Sequence, residues 1–322
     1  MIHLIFIIAF SLILVLFFLS ILFSIILMKK TYLKRGDGSI SIRYPLPSDL
    51  KNAEIKHGYI KTKGNKNLFY NTYKKVNSKP KALILLIHGI GAGHYYLIPL
   101  IQKFIDDDYM VIAYDQFASG CSEGKTFITM TRGIIDVKYV LNFIKNTELL
   151  NKMPLYVFGH SWGGYVAGCS LLYSNSIEKI VDVSGFDNEC DFVPKFKFLI
   201  KMRNLFVAGF KSFKRVQSIF EKTTAKVYYL QGEQDLVVNP KFTAKTYKKR
   251  FKNKSNIVVE LLQNKGHTPF NDDKSQKEQN EVMGNFGMLG GKLVPLDAYV
   301  DFRKISIVDE NIYNKIKNFY DE

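Results

Sequence analysis

In residues 155–168, LYVFGHSWGGYVAG, a short apolar run breaks into Gly-His-Ser-Trp-Gly-Gly and then resumes with helical spacing. This is the pattern of a strand, a sharp turn and a helix, and it constrains the chain more than any other stretch. Ser161 sits at the tip, in a G-x-S-x-G pattern made by Gly159, His160, Ser161, Trp162 and Gly163. The flanking glycines matter because a side chain at either place would clash as the backbone folds over a serine held in a strained conformation. The turn lifts the serine oxygen clear of the sheet edge. It also sets that oxygen over the N-terminus of the next helix, where N–H groups and the helix dipole favour developing negative charge. A glycine-rich turn with an incidental serine is the alternative. The apolar runs on both sides, 155–158 and 165–172, favour an exposed nucleophile.

Short, nearly continuous apolar runs recur at 82–87, 110–114, 155–158, 179–183, 227–230 and 257–262. Such runs suit strands buried on both faces. Helix-like segments lie between them at about 95–106, 130–146, 165–173 and 240–251, with a last one at 309–319. Alternation of this kind predicts a mostly parallel sheet covered by helices. Before it, the β-rich segments 39–44, 55–60 and 68–76 read as an antiparallel start to the sheet. Two segments break the alternation. Residues 186–222 have no clear strand and carry eight phenylalanines with eight basic residues, several at helical spacing, such as Phe192 with Phe196 and Phe206 with Phe210 and Phe213. Residues 271–306, polar and then glycine-rich, read as a loop insertion.

At the N-terminal end, residues 2–28 contain no Lys, Arg, Asp or Glu. As a helix this run spans roughly 40 Å at about 1.5 Å per residue, more than the roughly 30 Å hydrocarbon core of a bilayer. It reads as an uncleaved transmembrane anchor over 1–28. No basic region precedes it, the apolar run is long for a signal peptide, and MKKTYLKR offers no small-x-small cleavage site. Lys29, Lys30, Lys34 and Arg35 crowd its C-terminal flank, so the positive-inside rule predicts a single-pass protein of the cell membrane with its body, 29–322, in the cytoplasm. That body is long enough, with 47% hydrophobic residues in the chain, for one large core. The net charge of +16 comes from lysines scattered among Asn, Ile, Tyr and Phe. Without a recognition motif or compact basic stripe, no nucleic-acid partner is expected. Cys121, Cys169 and Cys190 suggest neither a disulfide framework nor a metal cluster. No feature of the sequence defines an oligomeric state.

A serine hydroxyl is a poor nucleophile at neutral pH, so Ser161 needs a base within reach and an acid to orient it. His267, in NKGHTPF, directly follows the run 257–262; Asp235, in LQGEQDLVV, follows 227–230. Both therefore fall on loops at the C-terminal edge of a parallel sheet, where open α/β folds gather their sites. Asp187, after 179–183, is the competing acid; Asp235 is preferred because its polar turn follows its strand immediately. Backbone donors for an oxyanion are expected at Trp162, just after the serine, and at Ile90 in the loop HGIGAGH after 82–87. A phosphate-cradling reading of that loop lacks the G-x-x-x-x-G-K-S/T pattern. His88 and His94 read as structural or pocket-lining.

In chain order, LLIHGIGAG, AYDQFASGCSEG, FGHSWGG, LQGEQDLVV and NKGHTPF resemble the α/β-hydrolase superfamily. The likeness is greatest to serine hydrolases of the monoacylglycerol lipase and serine aminopeptidase-like group, and covers about 81–262, the His267 region and the last helix. The resemblance implies an α/β-hydrolase sheet flanked by helices, with 186–222 as a small helical cap over the active-site edge. It further implies an acyl-enzyme mechanism using Ser161, His267 and Asp235, with no metal or organic cofactor. The expected partner is a small-molecule acyl ester, lipid-like or of monoacylglycerol type. A serine aminopeptidase-like peptidase and a non-catalytic binding protein of the same fold are the alternatives. The cap is expected to turn an apolar face to an acyl pocket, with Lys195, Lys197, Lys201, Arg203, Lys211, Lys214, Arg215 and Lys222 on the opposite face, either toward an anionic bilayer or simply solvated. Departures from the family are the anchor, the segment 271–306, and Ala118 at the first glycine of the D-x-x-G-x-G-x-S loop in 115–124.

Overall fold

The computed structural model describes residues 2–31, 42–90, 93–126, 129–191, 197–286 and 300–322. The six apolar runs form parallel strands: β4 (Ala82–Ile87), β5 (Tyr109–Tyr114), β6 (Leu155–His160), β7 (Ile177–Val183), β8 (Lys226–Gly232) and β9 (Ile257–Leu262). Ahead of them, β1 (Ile42–Arg43) is followed by the hairpin strands β2 (Ala53–Thr62) and β3 (Lys66–Lys75), and β3 joins the sheet antiparallel to β5. The strand order is β2-β3-β5-β4-β6-β7-β8-β9.

Along β4 the side chains alternate between two apolar layers. Leu83, Leu85 and Ile87 face one and Ala82, Ile84 and Leu86 the other. The first layer is completed by α3 (Arg132–Asn146), α5 (Trp162–Ser170), α7 (Val216–Phe220) and α8 (Ala244–Arg250), through residues such as Ile134, Val137, Val166, Phe220 and Tyr247. Across the sheet, α2 (Ile98–Asp106) and α10 (Glu310–Asp321) supply Ile101, Phe104, Ile312, Ile316 and Tyr320. Each buried aliphatic or aromatic side chain contributes roughly 1.5 to 3 kcal/mol. The short α4 (Glu148–Asn151) links α3 to β6. The continuous apolar runs were necessary because both faces of these strands are covered.

Three expectations are corrected. Of the segment 39–44, residues 39–41 lie outside the described residues, and its strand β1 does not begin the main sheet but pairs in parallel with β10 (Val300–Asp301) in a separate two-stranded sheet. Alternation marks an extended segment but carries no information about which distant strand it will meet. Second, residues 271–306 are not all loop, since α9 (Asp273–Phe286) occupies much of them; residues 287–299 lie outside the described residues. Asp272 caps α9, its Oδ1 accepting from the Ser275 N–H at 2.7 Å. The helix is polar and rich in straight-chain Lys, Gln and Glu, so it is favoured by propensity and has no apolar stripe to advertise it.

The third correction concerns 186–222. Helix α6 (Lys197–Ala208) forms, but its charges do not make one basic face. Arg203 is buried, 2.5 Å from Glu189, with Asn204 and Thr129 closing the network, and Arg215 pairs with the buried Asp187. A buried guanidinium is tolerated when a carboxylate and further hydrogen bonds replace its water. Nor do the phenylalanines share one face: Phe220 is buried in the core, whereas Phe198 and Phe210 are exposed. Phe192, Lys195 and Phe196 lie outside the described residues, as do the side chains of Phe206, Lys211 and Phe213. Helix α1 (Ile2–Thr31) lies against α6. Its stretch His3–Phe23 is long and apolar enough to cross a membrane.

The tightest backbone approach in the sheet lies below Ser161, where a Cβ placed on Gly163 would stand 2.0 Å from the Ile87 carbonyl oxygen. Gly163→Ala is therefore expected to destabilise the chain by at least about 2 kcal/mol. Urea unfolding checks this, and a midpoint equal to wild type would contradict the packing described.

Candidate active site

Strand β6 ends at His160, α5 starts at Trp162, and Ser161 between them has φ 57° and ψ −117°. A non-glycine residue in this region is strained, and the strain persists only because the surroundings overdetermine it. The Ser161 N–H donates to the Val183 carbonyl at 2.8 Å, and its carbonyl accepts the Tyr165 N–H at 3.1 Å. Gly159 and Gly163 make the turn possible; a Cβ on Gly159 would fall 2.2 Å from the Gly163 carbonyl oxygen. The hydroxyl is thereby pinned at the C-terminal edge of the sheet.

Loops after β8 and β9 bring Asp235 and His267 to the same point. His267 Nε2 lies 2.8 Å from Ser161 Oγ, and His267 Nδ1 lies 3.0 Å from each carboxylate oxygen of Asp235. A carboxylate can only accept, so the imidazole carries its proton on Nδ1 and leaves Nε2 to accept from the serine hydroxyl. Asp235 is buried and fully occupied: Oδ1 accepts from the N–H groups of Val237 and Val238, both at 2.9 Å, and Oδ2 from Gln231 Nε2 at 3.0 Å. Burial alone would raise its pKa, but His267 and these hydrogen bonds outweigh that and hold it below the usual carboxylate range. Gln231 is itself fixed by the Val238 carbonyl and Thr243 Oγ1.

Asp187, the competing acid, is engaged elsewhere, with Arg215, the Gln217 side chain and N–H, and Tyr247. The structure brings Asp235, not Asp187, to His267. The loop carrying Ile90 passes beside the serine, since a Cβ on Gly89 would lie 3.2 Å from Ser161 Cβ. Ile90 is exposed; Gly91 and Ala92 lie outside the described residues. Trp162 heads α5, and its indole Nε1 donates to the Met130 carbonyl at 2.7 Å, fixing the first turn of that helix.

The rings of His88 and His94 bond to groups other than the serine. His88 Nε2 accepts the Gln116 N–H at 2.9 Å, and burial pulls its pKa down to about 4. His94 Nδ1 lies 2.8 Å from Asp115 Oδ1, and its Nε2 lies 2.8 Å from the Tyr73 hydroxyl. Asp115 Oδ2 also accepts the Cys121 N–H, which curls the loop containing Ala118. Ala118 has φ 62°, a left-handed conformation that explains why the resembling loops place glycine there.

Sequence reasoning missed His160 and Tyr96. His160 Nε2 lies 3.0 Å from the His267 carbonyl oxygen, its Nδ1 lies 2.9 Å from the Tyr96 hydroxyl, and that oxygen accepts the Gly89 N–H at 2.8 Å. Burial pulls the His160 pKa down to about 3, so the ring is neutral. The only sequence signal was the identity of the variable residue in G-x-S-x-G. Among the described residues, no group of three His, Cys, Asp or Glu could hold a metal ion.

A helix-flanked, mostly parallel sheet that opens with antiparallel strands and turns sharply after β6 is the α/β-hydrolase fold, and this chain has it. The family model of the alpha/beta hydrolase fold matches residues 82–214. Human monoglyceride lipase is 28% identical over 99 residues, covering 30% of this chain and 31% of that protein. The chain thus spans about a third of the length of the monoglyceride lipases it matches. A proline iminopeptidase of Chitinophaga pinensis is 26% identical over 127 residues, 38% of this chain and 41% of that one. Among solved structures, an esterase of Pyrococcus furiosus superposes with a TM-score of 0.54 at 22% identity, over 77% of this chain and 98% of that one.

The depressed pKa of Asp235 has a consequence for stability. A carboxyl whose folded pKa is lowered stabilises above its unfolded value of about 3.9, and that contribution is lost as pH falls through the folded value. The stability difference between wild type and Asp235→Asn is therefore expected to shrink as pH drops from about 4 toward 2. Urea unfolding at stepped pH checks it, and a difference unchanged at the acid end would contradict the assigned direction.

Proposed function

We propose that this chain is a membrane-anchored serine hydrolase that cleaves carboxylic esters, lipid-like or of monoacylglycerol type, through Ser161, His267 and Asp235. The observation that carries the proposal is the 2.8 Å approach of His267 Nε2 to a serine hydroxyl held on a strained turn. Monoglyceride lipase among the relatives and esterase among the fold neighbours favour an ester carbonyl as the target.

In this reading Ser161 Oγ attacks the acyl carbonyl while its proton passes to His267 Nε2. The resulting imidazolium is stabilised by Asp235, which keeps the ring in the required tautomer. The N–H groups of Ile90 and Trp162 receive the oxyanion of the tetrahedral intermediate. Collapse breaks the bond to the alkoxy group, which leaves as an alcohol with the proton from His267. Water, deprotonated by the same nitrogen, then attacks the acyl-enzyme and releases the acid and the free serine.

Ser161→Ala and His267→Ala are each expected to lower turnover of a p-nitrophenyl ester by at least about three decades, with the double variant little worse, because such residues act as a unit. Asp235→Asn should be similarly crippling, by leaving the imidazole in the wrong tautomer. Near-normal rates for any of the three would remove the proposal. Folded wild type should also be labelled by a fluorophosphonate at Ser161, and absence of labelling points instead to a binding protein. Greater turnover of short N-terminally free peptides than of any ester would favour the peptidase reading, which the iminopeptidase relative supports.

The anchor is proposed on the apolar stretch His3–Phe23, with Lys29, Lys30, Lys34 and Arg35 keeping the body in the cytoplasm. The chain should stay in the membrane pellet through carbonate extraction. Protease added outside intact cells should leave it whole, and cleavage would reverse the orientation.

A further inference from the structure

One partly buried hydrogen-bonded line next to the serine has no part in the chemistry described above. Its proton positions follow from the partners. The His267 carbonyl can only accept, so His160 carries its proton on Nε2 and donates across 3.0 Å. His160 Nδ1 is then an acceptor, and the Tyr96 hydroxyl donates to it across 2.9 Å. The same hydroxyl oxygen accepts the Gly89 N–H at 2.8 Å. The line thus runs from the loop after β4, past the residue preceding Ser161, to the backbone of His267. His160 is buried and packs edge-to-face on Phe270, with ring centroids 5.1 Å apart.

We infer that Tyr96 and His160 are a positioning pair: Tyr96 fixes the Gly89 amide at the start of the oxyanion loop, and His160 fixes the backbone of His267, so that donor loop and base are set relative to Ser161. The inference rests on the hydrolase reading above. Packing alone does not account for the pair, since an apolar ring would fill the same space without needing two polar partners. The His160 and His267 ring centroids are 5.1 Å apart, so the neutral state of His160 matters as well. A charged ring there would repel the imidazolium that His267 must become. Tyr96 stays protonated at any working pH because burial raises its pKa.

The test uses the full chain in detergent, with steady-state kinetics on a p-nitrophenyl ester, fluorophosphonate labelling rates and thermal unfolding. Tyr96→Phe removes one oxygen and is the decisive variant. It is expected to lower kcat about tenfold, the worth of one positioned hydrogen bond, with KM and the unfolding midpoint little changed. His160→Gln and His160→Asn separate the two ends of the pair. Gln puts an amide donor near the Nε2 position and Asn puts a polar group near Nδ1, so Gln should retain more activity than Asn if the grip on His267 dominates. Tyr96→Phe combined with His160→Asn should be less than multiplicative, because both cut one line. Labelling rates should fall in parallel with kcat.

Unchanged kcat in Tyr96→Phe overturns the inference, as does a loss that only tracks a lowered unfolding midpoint. Ser161→Ala run alongside distinguishes the two readings. An active Ser161→Ala removes the proposed nucleophile and the pair's role with it, whereas an inactive Ser161→Ala beside an unimpaired Tyr96→Phe overturns the pair alone.

Discussion

How closely α5 can approach β4 decides the geometry of the whole site. Backbone meets backbone on both sides of the turn, with Gly163 of α5 against the Ile87 carbonyl of β4 and Gly159 of β6 against the Gly163 carbonyl, leaving no room for a Cβ at either glycine. That approach forces the turn between β6 and α5 into a conformation that costs Ser161 its preferred dihedrals. The cost is sustained by the hydrogen bond from Ser161 N–H to Val183 and by the burial of Trp162, Tyr165 and Val166 beneath. A serine so held cannot rotate its backbone away, and the other groups are built around a fixed oxygen.

Around that oxygen the protein buries the neutral His160 imidazole and the ionised Asp235 carboxylate, the first neutral through burial and the second ionised through its partners. Asp235 remains a carboxylate because two backbone N–H groups, Gln231 and His267 replace the water it lost. Asp182, in contrast, is buried beside α5, its Oδ1 accepting from the Gly185 N–H, and burial pushes its pKa up to about 8. Two aspartates at neighbouring strand ends thus differ in charge at neutral pH through the number of donors aimed at them. Within 186–222 the buried Arg203 is met in the same way by Glu189 and Asn204.

The periphery follows a different rule. Helix α1, whose stretch His3–Phe23 is long and apolar enough to cross a membrane, lies against α6. Phe198 and Phe210 are exposed on the segment that contains α6.

Much of the fold was legible in the chain because its strongest constraints are local. Continuous apolar runs mark strands covered on both faces, and glycines around Ser161 mark a turn that tolerates no side chain. Asp235 and His267 were legible through position, each directly following a strand whose C-terminal end must lie on the same edge. What local pattern could not carry was pairing at a distance. The partner of β1 lies beyond residue 299, α9 has no apolar stripe, and Arg203 looked like surface charge until Glu189 was found against it. His160 and Tyr96 sat in plain view, but their roles depend on a carbonyl at residue 267 and an amide at residue 89. The sequence by itself determined the sheet, the strained serine and the edge on which the site is built, because these follow from steric and hydrophobic periodicity along the chain. Only the tertiary structure decided which charges are buried, which tautomers the histidines hold and which loops are tied together, because those depend on hydrogen-bond partners that folding alone brings into reach.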